Sequence, residues 1–487
     1  MFDLMIPEFF NAAVYFIDRH VAEGRGKKIA IECGGERISY RELFEGVNRF
    51  GNGLRELGIR KGDRVLVVLP DIPEFGMAFF GAIKIGAIPV PVNPALKPEE
   101  HRYFREDSGA RIAIDEGALR KSPFAKASPR LTAEPARRDD PAFWLYSSGS
   151  TGRPKACIHR QRDMLVCSEH YAKPILGMHE HDRCFSTSKL FFAYGLGNAL
   201  YYPLAVGATS ILLPDRPEPE KIFNVIERHR PTIFFSVPST YVRMLAHPAS
   251  SVPDLLSGVR LCISAGEPLP ISLFKLFKER FGFEILENMG STEALQAFIA
   301  SRPGSVRPGS TGELVPGYDV RILDEAGKPA KPGEAGSLWV KNDAVAAGYW
   351  NQPEKTAATF KDGWLRTGDR FSRDADGYFW YAGREDDMFK SHGAWVSPVE
   401  VEHCLMEHPE VLEAAVVGKK NADGLLRPAA YVVPRSDVRL AENFTKELDE
   451  FCAGRLPKHK RPTQIEILSE LPKTATGKIQ RFKLRNG

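Results

Sequence analysis

The chain reads as an α/β protein: a large N-terminal region of parallel α/β sheets that includes a small β-rich subdomain, then a small α+β C-terminal domain. Three observations predict this. Strand-like and helix-like runs alternate from 62 to 286, the mark of β-α-β units and a parallel sheet. Between 301 and 381 the texture changes to Gly/Pro-rich turns separating short runs such as Val320-Arg321-Ile322-Leu323 and Leu338-Trp339-Val340. A smaller α+β segment begins at Asp386, so the expected domains are 1–385 and 386–487.

In order, residues 64–70 form a buried-strand run, 75–85 carry apolar side chains at helical spacing, and 88–92 are a second strand. Residues 116–142 have poor periodicity and many Pro, Arg, Lys and Ala, which predicts a surface connector. Ala142-Phe143-Trp144-Leu145 is a short apolar run with the look of a strand. Beyond it, strands at 210–213, 232–237, 259–264 and 283–286 alternate with helices at 219–230, near 239–246 and near 271–280. Two strand ends open into small-residue loops, Ser264-Ala265-Gly266-Glu267 and Asn288-Met289-Gly290-Ser291-Thr292-Glu293. Ligands collect at the carboxyl ends of strands in open α/β sheets, which makes both loops candidates for a site.

The bulk numbers exclude several classes. A length of 487 residues holds about two to four domains. With 43% hydrophobic and 26% charged residues the composition is that of an ordinary soluble enzyme. Lys+Arg at 66 against Asp+Glu at 62 leaves +4, so nothing argues for nucleic acid. Seven scattered cysteines with no C-x-x-C pair argue against a disulfide framework or zinc cluster and fit a reducing cytoplasm. Residues 1–8 are apolar but carry acids and no basic region, so no signal peptide is expected. No segment approaches about 18 uninterrupted apolar residues, so no membrane span is expected.

The chemistry begins at Tyr146-Ser147-Ser148-Gly149-Ser150-Thr151-Gly152-Arg153-Pro154-Lys155, where six of ten residues are Ser, Thr or Gly. Small residues after a strand let several backbone N–H groups converge on one anion, while hydroxyls and Lys155 add donors and charge. The spacing lacks the Gly-Lys-Ser/Thr ending of a P-loop. Taken alone, the stretch reads equally well as a flexible surface loop.

This decapeptide resembles the phosphate-binding signature of the adenylate-forming superfamily of acyl-CoA synthetases, adenylation domains and firefly-type luciferases, and further matches cover nearly the whole chain. The resemblance implies that a carboxylate is joined to AMP and then passed to a thiol. It assigns Ser147, Ser148, Gly149, Ser150, Thr151, Gly152 and Lys155 to the ATP phosphates. It assigns Glu293, with Thr151, to Mg²⁺, and Thr292, after Gly290 and Ser291, to the α-phosphate; a carboxylate is a hard oxygen ligand that suits this ion. Asp369, in Trp364-Leu365-Arg366-Thr367-Gly368-Asp369, matches the ribose-binding position. Tyr381 and Arg384 match contacts to the nucleoside and its phosphates, and Ala265-Gly266-Glu267 with Glu287-Asn288-Met289 match the adenine-lining strand ends.

Lys478, in Thr474-Ala475-Thr476-Gly477-Lys478, matches the adenylation lysine. Its basic tail, 455–487, holds nine Lys/Arg against two Asp/Glu. Preorganised charge aimed at a developing oxyanion is worth about 3–4 kcal/mol. Asp386 matches the hinge of a mobile C-terminal domain, which presents Lys478 in one half-reaction. In the other it presents Lys390-Ser391-His392-Gly393 to the tunnel for coenzyme A. His392 and Ala156 depart from the smaller residues usual at their positions.

Within the superfamily, Pro141–Tyr146, Lys189-Leu190-Phe191-Phe192-Ala193-Tyr194-Gly195-Leu196-Gly197-Asn198 and the start at Asn11-Ala12-Ala13-Val14 look like the benzoate-CoA ligase branch. Phe192, Ala193, Tyr194, Gly195, Gly290 and Gln296 are the implied acyl-pocket residues. A flat slot walled by Tyr194 suits an aromatic ring. Gln296 stands where a His is expected and points to a hydroxy- or amino-benzoate, if its amide faces the pocket. The resulting expectation is an AMP-forming aryl-CoA ligase using ATP, Mg²⁺ and CoA, cytoplasmic, with no nucleic acid or membrane partner and a homodimer as the candidate assembly. The alternatives are an adenylation enzyme loading a carrier-protein thiol, a luciferase-like oxygenase, and a nucleotide-binding pseudoenzyme.

Overall fold

The computed structural model describes residues 4–121, 123–147, 153–251, 255–421, 424–435, 443–473 and 479–486. Its organising element is a nine-stranded sheet. From one edge the order is Glu313–Leu314, Ala297–Ala300, Ile285–Gly290, Leu261–Ser264, Ile233–Ser236, Arg183–Ser186, Thr209–Leu212, Ile29–Cys33 and Glu36–Ser39. The six central strands pair in parallel, and antiparallel pairs finish both edges. Thr209–Leu212, Ile233–Ser236 and Leu261–Ser264 are buried along their whole length, as strands covered on both faces must be.

The helices that return the chain start and stop on local signals. Pro219–His229 and Pro238–Ala246 each open on a proline, whose missing N–H costs nothing in the first turn. Ile271–Phe281 ends on Gly282 in the left-handed conformation, a common helix stop. A second, smaller parallel sheet joins Ile88–Pro91, Arg64–Val68 and Ile112–Asp115, with Pro73–Lys84 as the crossover helix. This is the β-α-β unit expected at 62–92. The connector expected at 116–142 contains the short helix Glu116–Lys121 and a 3₁₀ turn at Pro123–Ala125. The turn is fixed because Phe124 stacks on Phe50 at 4.4 Å.

Pro141–Ser147 and Lys155–Arg160 form an antiparallel hairpin in which Ser147 stands opposite Lys155. The Ser/Gly run is therefore its connection. The β-rich subdomain is a five-stranded antiparallel sheet built on Trp364–Arg373. From Phe389 a small C-terminal domain follows, with the hairpin Phe389–Ser391/Ala394–Val396 and the sheet Val411–Lys420, Leu426–Pro434 and Gln464–Ile467. Helices Pro398–Met406 and Phe444–Ala453 cover it, and Val416, Val432 and Leu448 sit in an apolar core of its own. Among the described residues no helix is long and apolar enough to cross a membrane. All seven cysteines are unpaired.

Candidate active site

The hairpin and the Gly290-Ser291-Thr292-Glu293 loop meet at one carboxylate. Ser147 Oγ donates to Glu293 Oε1 at 2.9 Å, and Tyr349 Oη donates to the same oxygen at 2.8 Å. Burial, and next the Glu293 carboxylate, push the Tyr349 hydroxyl well up, so it stays a donor at any physiological pH. Among the described residues both of these donors fall on Oε1. The Glu293 backbone is held as well, its carbonyl accepting from Ala346 N–H at 2.8 Å. Lys155 Nζ lies over the Tyr349 ring, 4.2 Å from its centre. Among the described residues no group of three or more His, Cys, Asp or Glu could cage a metal. A lone carboxylate fits Mg²⁺ all the same, since this ion is usually held by one or two carboxylates together with substrate phosphates.

A second cluster gathers on the β-rich sheet. Asp369 is 1% exposed and stands opposite Arg384 across the antiparallel pair of Trp364–Arg373 and Phe379–Arg384. Arg384 Nη1 reaches both its oxygens, at 3.1 and 3.2 Å, and Tyr381 Oη is 3.5 Å from Oδ1. Gly383, at φ 123°, and Gly368, at φ 74°, give the backbone the turns this approach requires. Of the strand ends, Ala265 is buried and Gly266 is exposed at φ 88°. Glu287 and Asn288 turn their side chains inward: Thr311 Oγ1 approaches Glu287 at 3.5 Å, and Asn288 Nδ2 donates to Tyr171 Oη at 3.0 Å.

The residues expected to line an acyl pocket lie where Ala193–Leu196 packs on the carboxyl ends of the sheet. Tyr194 Oη donates to the Ser236 carbonyl at 3.3 Å, and its ring meets Phe235 edge-on at 6.3 Å. Phe192 meets Phe191 edge-on at 4.6 Å. Gly195 and Gly290 are forced: a Cβ at Gly195 would lie 2.1 Å from the Lys189 carbonyl oxygen, and one at Gly290 would lie 2.6 Å from that of Gln296. Gln296 departs from its expected role. Its amide nitrogen donates to the Ala193 carbonyl at 2.8 Å and faces that of Tyr194 at 3.4 Å, so its donors serve the helix and not a ring substituent.

In the C-terminal domain, Lys390-Ser391-His392-Gly393 is a tight hairpin with His392 at φ 52° and Gly393 at φ 76°. Ser391 Oγ is 3.1 Å from His392 Nδ1. Lys390 reaches Glu325 at 3.9 Å, and Trp395 Nε1 donates to the same carboxylate. Asp386 lies in the 3₁₀ turn Glu385–Asp387, where its carbonyl accepts from Arg485 at 3.4 Å. Arg481 is paired with Glu402 at 2.8 Å and reaches Asp387 at 3.8 Å. Ser148, Gly149, Ser150, Thr151, Gly152 and Lys478 lie outside the described residues.

Two residues were not foreseen. Tyr349 carries no motif, and its only sequence signal is an aromatic pair after glycine, Gly348-Tyr349-Trp350. Asn198 is fully buried, and neither of its amide atoms finds a hydrogen-bond partner among the described residues. The Tyr194 hydroxyl lies close to it but is turned to Ser236. A buried amide without a partner costs about 1–3 kcal/mol.

The AMP-binding enzyme family matches residues 18–350, and the AMP-binding enzyme C-terminal domain matches 400–478. A benzoate–CoA ligase of Thauera aromatica is 43% identical over 99% of the chain and 97% of its own length. A 4-hydroxybenzoate–CoA/benzoate–CoA ligase of Rhodopseudomonas palustris is 41% identical, covering 98% and 94%. Among solved structures, the anthranilate CoA ligase AuaEII in complex with anthranoyl-AMP superposes with a TM-score of 0.92 at 36% identity, covering 99% of this chain and 98% of that one. A benzoate CoA ligase from Burkholderia xenovorans LB400 superposes at 0.91 with 42% identity, covering 98% and 100%.

Proposed function

The chain belongs to the AMP-binding enzymes, in the benzoate-CoA ligase branch of the adenylate-forming superfamily, and from that premise we propose how its residues divide the work. It is an AMP-forming aryl-CoA ligase. The carboxylate of an aromatic acid attacks the α-phosphorus of ATP, the bond to pyrophosphate breaks, and the CoA thiolate then displaces AMP from the acyl carbon. The observation that carries the assignment is the 2.9 Å bond from Ser147 to Glu293, which joins the phosphate hairpin to the Gly-Ser-Thr-Glu loop. Ser147, the 148–152 connection and Lys155 cradle the β- and γ-phosphates, and Thr292 is placed at the α-phosphate. Mg²⁺ on Glu293, with Thr151, neutralises phosphate charge when bound. Asp369 accepts from the ribose hydroxyls while Arg384 and Tyr381 orient it, and Lys478 supplies positive charge to the attacking carboxylate. The Lys390–Gly393 turn serves CoA. The domains meet at about 385/386, with Asp386 as pivot. Unpaired cysteines support a cytoplasmic location.

The ring slot is bounded by Phe192, Ala193, Tyr194, Gly195 and Gly290. With Gln296 engaged by the helix, we assign the ring substituent to Asn198, one turn on from Tyr194 and one of several buried polar groups there without a partner among the described residues, so the preferred acid carries a hydroxyl or amino group. The test measures pyrophosphate release and aryl-CoA formation over benzoate, hydroxy- and aminobenzoates, cinnamates and short fatty acids. Wild type should favour a substituted benzoate. Asn198→Leu should shift kcat/KM toward plain benzoate by roughly 10- to 100-fold, with Tm unchanged or higher because a buried unpaired amide is gone. An unchanged ranking would remove Asn198 from selectivity.

A further inference from the structure

A buried network behind the active site has no part in the division of labour above. His159, on the strand Lys155–Arg160, is 0% exposed, and its ring stacks on Phe143 with centres 5.1 Å apart. Its Nε2 is 2.9 Å from the Thr292 carbonyl oxygen. A carbonyl has no proton to give, so this nitrogen donates. Nδ1 is 3.2 Å from Asp163 Oδ2, and Asp163 is also 0% exposed. The carboxylate is tied down from two further directions, by Arg160 N–H at 2.9 Å and by Arg160 Nε at 3.2 Å.

Every branch of this network ends on the Glu293 loop or its support. The Thr292 carbonyl also accepts from Leu295 N–H at 3.1 Å. It is thus the point on which the turn closes, and Leu295 there is held at φ 64°, a left-handed conformation rare for a leucine. Strained turns persist where their surroundings over-determine them. Arg160 Nη2 donates to the carbonyls of Asp343 at 2.7 Å and Val345 at 2.6 Å, just before Ala346, whose N–H holds the Glu293 carbonyl. The same segment delivers Tyr349 to the Glu293 carboxylate. The strand that carries Lys155 toward the phosphates therefore fixes, four residues on, the loop that carries Glu293.

We propose that His159, oriented by Asp163, is a positioning residue that holds the Thr292–Glu293 turn so that the Glu293 carboxylate meets the divalent cation of the Mg·ATP complex. The inference rests on the reading of Glu293 as a metal ligand. Residues that orient metal ligands typically cost about 10- to 100-fold in metal affinity when removed. A positioning role is separable from a packing role because AMP meets this turn only through its α-phosphate and needs no cation, whereas Mg·ATP also requires the Glu293 carboxylate in place, so lost positioning weakens Mg·ATP more than AMP.

The experiment titrates the purified full chain with Mg·ATP and with AMP by calorimetry, in the absence of an aromatic acid. His159→Phe keeps a ring against Phe143 but removes the donor. It should weaken Mg·ATP about tenfold or more and leave the AMP Kd within about twofold. His159→Gln, whose amide reaches as far and can donate, should recover most of the loss. Equal weakening of both nucleotides, or no change in either, overturns the proposal. If His159→Phe does not fold, Asp163→Asn carries the same comparison: selective weakening of Mg·ATP supports the inference, and parallel weakening overturns it. Glu293→Gln run alongside separates the two readings. If it leaves Mg·ATP binding intact, the metal reading of Glu293 falls and takes the inference with it. If it weakens binding while the folded His159 variants do not, the positioning inference alone falls.

Discussion

At the scale of single residues, Glu287 has the most testable environment. Burial pushes its carboxyl up to about 8, against the opposing pull of the Leu269 N–H and the Thr311 hydroxyl. The folded chain therefore binds this proton more tightly than the unfolded chain, whose carboxyl titrates near 4.5. The stability tied to it is fully present below pH 4.5 and falls by about 1.4 kcal/mol per pH unit as the pH climbs toward 8. Glu287→Gln abolishes that titration, so the difference in Tm between variant and wild type should grow in the variant's favour from pH 5 to pH 8. Parallel melting curves across that range would show that Glu287 is not protonated in the folded chain. The sequence shows that Glu287 sits at the end of a strand. It does not show which side the carboxylate takes, because 285–288 are buried one after another and no polar alternation marks the faces.

At the scale of elements, the acyl helix is set by what cannot fit. Gly195→Ala drives a Cβ into the Lys189 and Ser188 carbonyls, 2.1 and 2.4 Å away, and backbone cannot yield as a side-chain tip would. The turn 188–191 is pinned from the other side by Asp71, whose Oδ1 accepts from Leu190 N–H at 3.0 Å. The variant should lose about tenfold or more in kcat/KM for the aromatic acid through a displaced pocket wall, while the Kd for AMP stays put; a wild-type pocket would show the turn to be pliable. The Ser/Gly connection and the Gly-Ser-Thr-Glu loop were legible as small-residue loops after apolar runs, and it took the family resemblance to separate them from ordinary surface loops. The orientation of Gln296 was not. The turn at Leu295, with φ 64°, rotates the next side chain onto the 193–201 helix, and leucine gives no warning of a left-handed residue. Tyr349 escaped for a similar reason: it reaches Glu293 from 56 residues away, through a contact that only tertiary structure makes.

At the scale of the whole molecule, the β-rich and small α+β regions were readable from turn density and from the break at Asp386, but their mutual placement was not. It involves contacts between distant parts of the chain, among them Glu325 with the Lys390–Trp395 hairpin. Asp386→Pro fixes φ near about −65° and should abolish one half-reaction by orders of magnitude while sparing the other. Wild-type rates in both would move the pivot elsewhere. The Trp395 contact offers a second test of the proposed motion. Its indole, 38% exposed, donates to Glu325 and lies between Lys390, 4.8 Å from its ring centre, and Arg370, at 5.6 Å. Glu325 and Arg370 belong to the large domain and Lys390 travels with the indole, so a swing of the small domain strips away one carboxylate and one of two cations together. The emission of this tryptophan should shift in colour and intensity when CoA follows the acid and ATP, and should stand still in Asp386→Pro. Such a shift would give the step between adenylate and thioester an optical clock of its own, with no dye attached.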